Sequence, residues 1–145
     1  MMAGYEGVPL FQTENGQICY NDFINCIRAI GVGEGDTLLV HSDIAQFGKL
    51  CPEGKEILLP ALVEVLKESV GQSGNLIFPT FTYSFCNSEI YDTALSRSKV
   101  GTLTEFFRKQ PDVIRTRQPI FSVAVWGGKK ERFIDVDQDA FGDDS

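Results

Sequence analysis

The sequence predicts an α/β fold, a three-layer α-β-α arrangement around a central sheet, and three observations predict it. Two short apolar runs, residues 37–40 and 75–79, each open directly into polar residues. Between them Leu58, Leu59, Leu62, Val63, Val65 and Leu66 make the broad apolar face of a helix that packs on a sheet. The links around this helix are short and rich in glycine, which is the order of a parallel βαβ unit with a right-handed crossover. With 145 residues and 43% hydrophobic content, the chain is expected to be a single domain, 1–145, with its own core.

The elements follow in chain order. The opening segment reads as loop, with a Gly-Val-Pro turn and a tight turn at Glu14-Asn15-Gly16. Asn21 is a plausible N-cap for a helix over residues 21–30, where Phe23, Ile24, Ile27 and Ile30 repeat at helical spacing before Gly31. Gly33 to Asp36 turns the chain into the first strand. Pro60 belongs in a first helical turn, so the next helix is expected to begin near it, and Gly71 and Gly74 close it. Residues 84–97 read as irregular loop, 102–108 as a short helix after Val100-Gly101, and 122–126 as a third strand closed by Gly127-Gly128. Three strands make a narrow sheet, so the N-terminal segment is expected to add strands or some covering surface to be missing.

Composition excludes several function classes. A net charge of −7 argues against a nucleic-acid partner, which needs basic clusters to neutralise phosphates. Asp135, Asp137, Asp139, Asp143 and Asp144 crowd the last residues and read as a solvated surface or tail. Cys19, Cys26, Cys51 and Cys86 form no C-x-x-C pair, and with one histidine in the chain neither a structural zinc site nor a Cys-His nucleophile is expected. The first residues carry no basic and apolar leader pattern and no run is long enough to span a bilayer, so a cytoplasmic, membrane-free location is expected.

In open α/β sheets ligands bind beyond the carboxyl ends of strands. Past the first strand come His41, Ser42 and Asp43, leading to Phe47-Gly48, and past the second come Pro79, Thr80, Phe81 and Thr82. The segment Ser96 to Arg108 looks like a loop feeding a helix start. Free amides there, the helix dipole, the serines and Gly101 would suit a pyrophosphate. A capping box of Thr102 and Glu105 explains the same residues without a ligand.

The ordered series HSDIAQFG, PTFTYSF, SKVGTLTEFFR and RTRQPIFSVAVWG resembles the aminoglycoside 3-N-acetyltransferase family over residues 20 to 145. The resemblance implies an α/β acyltransferase that passes acetyl from acetyl-coenzyme A to an amine of an amino sugar, and it covers the N-terminal half of the family's length. It places His41, Ser42, Asp43, Phe47, Gly48, Pro79, Thr80, Ser98, Val100, Gly101 and Thr102 at the coenzyme A.

Two departures stand out. Where the family has Arg-Ser-x-His-Pro this chain has Arg115-Thr116-Arg117-Gln118-Pro119, and the family's Thr-x-x-His-x-x-Glu motif is absent from these residues. The catalytic base is therefore unassigned and the chain is expected to be inactive alone, with direct transfer in a ternary complex rather than through an acyl-enzyme. Other readings are a sugar-nucleotide N-acetyltransferase and a non-catalytic module that binds coenzyme A or a nucleotide. Surface left bare by a missing half would favour self-association into a homo-oligomer.

Overall fold

The computed structural model describes residues 4–134, so the acidic group from Asp135 onward lies outside the described residues. The α/β class holds, and the strand–helix–strand unit forms as the spacing predicts. Strand β3 (Thr37–Leu39) pairs in parallel with β5 (Asn75–Pro79), with Leu38 opposite Leu76 and Leu39 opposite Ile77. The Val40 amide adds one more bond to the Ile77 carbonyl, 2.8 Å, before the chain turns away. Between the two strands runs α2 (Leu58–Val70), with Pro60 inside its first turn, where a missing N–H costs no intrahelical bond.

The sheet gains a fourth strand beyond the three that the sequence predicts. Strand β6 (Ile114–Arg115) pairs antiparallel with β7 (Val123–Gly127), and β7 pairs antiparallel with β5, giving the order β3-β5-β7-β6. Two residues are too few to show the alternation that marks a strand.

The opening segment is a hairpin rather than a loop. Strands β1 (Pro9–Thr13) and β2 (Gly16–Cys19) join through Glu14-Asn15, the expected tight turn, which the Thr13 hydroxyl fastens by donating to the Gly16 carbonyl at 2.9 Å. With β4 (Lys49–Leu50) on the other side of β1 they make a separate small sheet, so the N-terminal strands do not widen the main one. A bulge between Pro9 and Phe11 lets Leu10 and Phe11 both be buried, which hid the strand from a two-residue period.

Helix α1 (Tyr20–Ala29) starts one residue earlier than expected and is capped by Cys19, not Asn21. The Asp22 carboxylate reaches back to accept from the Cys19 amide at 2.8 Å. Asn21 is spent elsewhere: its Oδ1 accepts from the Gly7 amide at 3.3 Å and ties down the segment before β1.

Helix α2 and the short α3 (Thr102–Phe107) cover the sheet face formed by Leu76, Phe78, Ala124 and Trp126, and α1 packs on α2. Phe78 and Phe107 stack with ring centroids 4.0 Å apart, both fully buried. Each such ring contributes roughly 1.5–3 kcal/mol by leaving water. On the opposite face Leu39, Ile77, Val125 and Ile114 form a row in register, and Leu39 is 62% exposed. The second helical layer of the expected three is not found among the described residues. No helix among them is long and apolar enough to cross a membrane.

Candidate functional site

Both parallel strands end at the same edge, and the chain leaving each one borders a single cleft of about 400 Å³. Val40, His41, Ser42 and Asp43 line it from β3, Pro79, Phe81 and Tyr83 from β5, and Val100 and Thr104 from the start of α3. The crevice at the carboxyl ends of the strands is where the topology predicts a ligand.

The turn after β3 is held by Asp43, whose carboxylate accepts from the Ala45 amide at 3.2 Å and from Gln46 Nε2 at 3.1 Å. It starts a 3-10 turn at Ile44–Phe47 and leaves His41 and Asp43 exposed at the cleft. Facing this turn is Gly101, the N-cap of α3, with φ +137°. A Cβ there would lie 3.8 Å from the Ser42 carbonyl and 3.7 Å from Thr104 Oγ1, so the site has room but a backbone that only glycine adopts easily. No side chain caps the first-turn amides of α3. The expected capping box is not formed.

Glu105 does something else. Its Oε2 accepts from the Ser98 amide at 2.8 Å and from Arg108 Nε at 2.6 Å, and its Oε1 pairs with Lys109 Nζ at 2.8 Å. Burial alone would raise this carboxyl, but the hydrogen bonds from Arg108, Lys109 and the Ser98 amide outweigh it and bring it down to about 2. The Lys99 amide donates to the Phe81 carbonyl at 2.9 Å, which fastens the loop before α3 to the chain leaving β5.

The structure brings His41, Ser42, Asp43, Pro79 and Val100 together on the cleft, and it places Gly101 beside the Ser42 carbonyl though not in the lining. It sets the other named residues apart. Thr80 is fully buried behind the wall: its amide donates to the Ser122 carbonyl at 2.7 Å and its hydroxyl to Ser122 Oγ at 3.1 Å. Ser98 is buried beneath the loop, its Oγ accepting from the Val100 amide at 3.4 Å, and Thr102 is exposed and does not line the cleft. Phe47 packs on Phe23 and Phe11 at 5.1 and 5.6 Å and borders a second, apolar hollow of about 260 Å³ that shares Val40, His41 and Ser42 with the cleft. Gly48 stands just before β4, beside β1 of the small sheet, where a Cβ would come within 2.9 Å of the Gln12 carbonyl.

Tyr83 and Thr104 line the cleft without having been singled out as site residues. Tyr83 is half-exposed and has φ +56°, uncommon for a bulky residue, and is flanked by buried Thr82 and Ser84, whose hydroxyls bond to each other at 2.9 Å. The polar run after β5 marks this position in the sequence; the backbone conformation that turns the ring to the cleft is not written there.

Ser42, Thr104 and Tyr83, which carry hydroxyls, and the His41 imidazole thus border one space. They can bind and orient an anionic group and a carbonyl oxygen. No cysteine lines it, and among the described residues no three His, Cys, Asp or Glu side chains come together to hold a metal ion.

A cleft beyond the carboxyl ends of two parallel strands is where α/β proteins commonly take their ligands. The family is shown by sequence: the profile of the aminoglycoside 3-N-acetyltransferase family matches residues 39–145, and the chain belongs to that family. It is 24% identical over 139 residues to the prophage-derived aminoglycoside N(3')-acetyltransferase-like protein YokD of Bacillus subtilis, covering 80% of this chain and 49% of that one. It is 30% identical over 117 residues to aminoglycoside N(3)-acetyltransferase IV of Salmonella sp., covering 78% of this chain and 41% of that one. The fold matches a solved AAC-IIIb binary complex with CoASH at a TM-score of 0.68 and 21% identity, over 82% of this chain and 50% of that one. It also matches aminoglycoside acetyltransferase AAC(3)-IVa at a TM-score of 0.69 and 27% identity, over 81% and 44%. The chain spans about half the length of the curated relatives it matches.

Proposed function

We propose that this chain forms the acetyl-coenzyme A side of an N-acetyltransferase whose acceptor is an amine of an aminoglycoside or related amino sugar. The observation that carries this reading is the meeting of the Gly101 helix start with the Ser42 turn across one cleft, in a chain of this family. The uncapped amides of α3 and the exposed Arg97 and Lys99 beside Ser98 suit the pyrophosphate. Ser42, Thr104 and Tyr83 supply hydroxyls where a carbonyl would gain negative charge. Phe81 and Pro79 offer apolar surface to the arm between pyrophosphate and thioester.

Acetyl-coenzyme A supplies an activated acyl group. In direct transfer the acceptor nitrogen bonds to the acyl carbon, the carbon–sulfur bond breaks, coenzyme A leaves as the thiolate, and the amine proton passes to a base. We assign the chain binding and orientation and leave the base to the length that its relatives have beyond it, so residues 1–145 alone are expected to bind without turnover. A cytoplasmic site of action goes with a cytoplasmic co-substrate.

Calorimetric titration with coenzyme A tests this. The expected result is binding by the unmodified chain that weakens by about tenfold or more in Gly101→Asp, which sets a carboxylate at the helix start. Gly101→Ala separates backbone strain from charge and is expected to bind more tightly than Gly101→Asp. A folded chain that ignores coenzyme A removes the reading, and equal affinity for ATP and coenzyme A turns it into a nucleotide-binding module.

A further inference from the structure

Arg115 sits in the two-residue β6, yet its guanidinium reaches two other segments. Nε donates to Thr80 Oγ1 at 3.0 Å and Nη2 to the Thr80 carbonyl, both at the end of β5. Nη1 donates to the Thr93 carbonyl at 3.3 Å and to the Ser96 carbonyl, both in the loop before α3. The guanidinium carbon lies 5.1 Å from the centroid of the Tyr91 ring, and the Tyr91 hydroxyl donates to the Thr116 carbonyl at 2.7 Å. Unlike Arg108, which pairs with Glu105, Arg115 has neutral oxygens as its hydrogen-bond partners. Its role is therefore geometric rather than the neutralisation of a neighbouring carboxylate.

The loop it holds is already a compact unit. Asp92 Oδ1 accepts from the Ala94 and Leu95 amides, each at 2.8 Å, and the Asp92 amide donates to Ser96 Oγ at 2.9 Å. From Ser96 the chain runs five residues to Gly101, fastened on the way by the Lys99–Phe81 and Ser98–Glu105 bonds. The buried Thr80 lies between the cleft residues Pro79 and Phe81. Where Arg115 sets the distance from Thr80 to Ser96, it sets where Val100 and Gly101 stand against that wall.

We propose that Arg115 is a positioning residue for the cleft: its planar fork joins the end of β5 to the 91–96 loop and so fixes the mouth of the ligand site at residues 96–101. This rests on the reading of the cleft as a coenzyme A site, and the test keeps the two apart. A fork that donates in several fixed directions cannot be replaced by an ammonium, which keeps the charge but not the geometry.

The test compares the unmodified chain with Arg115→Lys, under conditions where both are folded, by amide hydrogen exchange and by titration with coenzyme A. The expected result is faster exchange confined to residues 91–101, unchanged protection in β5 and β7, and coenzyme A affinity lower by about tenfold. Unchanged exchange in 91–101, or exchange that rises evenly through the whole chain, overturns the proposal, and so does wild-type affinity in the variant. If the unmodified chain does not bind coenzyme A, the cofactor reading falls while the exchange pattern still decides the role of Arg115. If Arg115→Lys does not fold, Tyr91→Leu removes the ring beside the guanidinium and the bond to Thr116. It is expected to reproduce the local exchange pattern with a smaller loss of affinity, and exchange unchanged in that variant overturns the proposal.

Discussion

The wall of the cleft that runs from β5 into α3 is buried and bonded to itself, whereas the wall that follows β3 stands in solvent. Thr80, Thr82, Ser84, Ser98 and Glu105 are all buried, and their polar atoms are taken up by Ser122, Arg115, Arg108 and one another. His41 and Asp43 are exposed, and the bonds made by Asp43 are to its own turn. The five polar residues just named in the first wall, a backing wall, serve the fold. The second presents its groups to whatever enters. Changes in the first should therefore read out mainly as stability and changes in the second mainly as binding.

The largest effect is expected at the root of the backing wall. Phe78→Ala removes a fully buried ring stacked on Phe107 and should cost about 3–5 kcal/mol in denaturant unfolding, because the gap lies between sheet and helix and closes poorly. Glu105→Gln comes next, at about 2–4 kcal/mol, since it leaves the mostly buried Arg108 without its carboxylate and weakens the tie to Ser98.

The same carboxylate makes the backing wall sensitive to acid. Its value in the fold, about 2, lies below its ordinary value of 4.5. The unfolded chain therefore takes up the proton first, and the stabilisation is whole above about pH 4.5 and is lost as pH falls from there through about 2. Unfolding followed against pH should show this loss in the unmodified chain and less of it in Glu105→Gln.

At the seam between the walls, Gly101→Ala should cost about 1–3 kcal/mol from backbone conformation alone, because a Cβ meets nothing closer than 3.7 Å. The smallest stability effect is expected on the open wall. His41→Ala and Ser42→Ala should stay within about 0.5 kcal/mol of the unmodified chain while weakening coenzyme A binding. A large loss of stability in either would erase the contrast between the walls.

The same contrast governs what could be read from sequence. The open wall follows from a rule of topology, that polar residues just past a strand end face a crevice, and His41, Ser42 and Asp43 were legible in that way. Thr80 obeys the rule by position and breaks it in space, because a strand-end residue alternates in direction and this one turns toward Ser122 and Arg115. Those partners are 42 and 35 residues away in the chain, a separation no local pattern reports. Glu105 was legible as an acidic residue in a first turn, but not as the partner of Ser98, since a capping box and a loop tie use the same residue at the same spacing. The hairpin of β1 and β2 was hidden by its bulge, and β6 by its two-residue length.

Amide hydrogen exchange of the unmodified chain with and without coenzyme A tests the site most directly. The cleft reading predicts that protection rises at residues 41–43 and 98–104 and changes little elsewhere. Coenzyme A that binds and protects instead the region of Trp126 to Lys130, or the apolar row through Leu39 and Ile77, would contradict it.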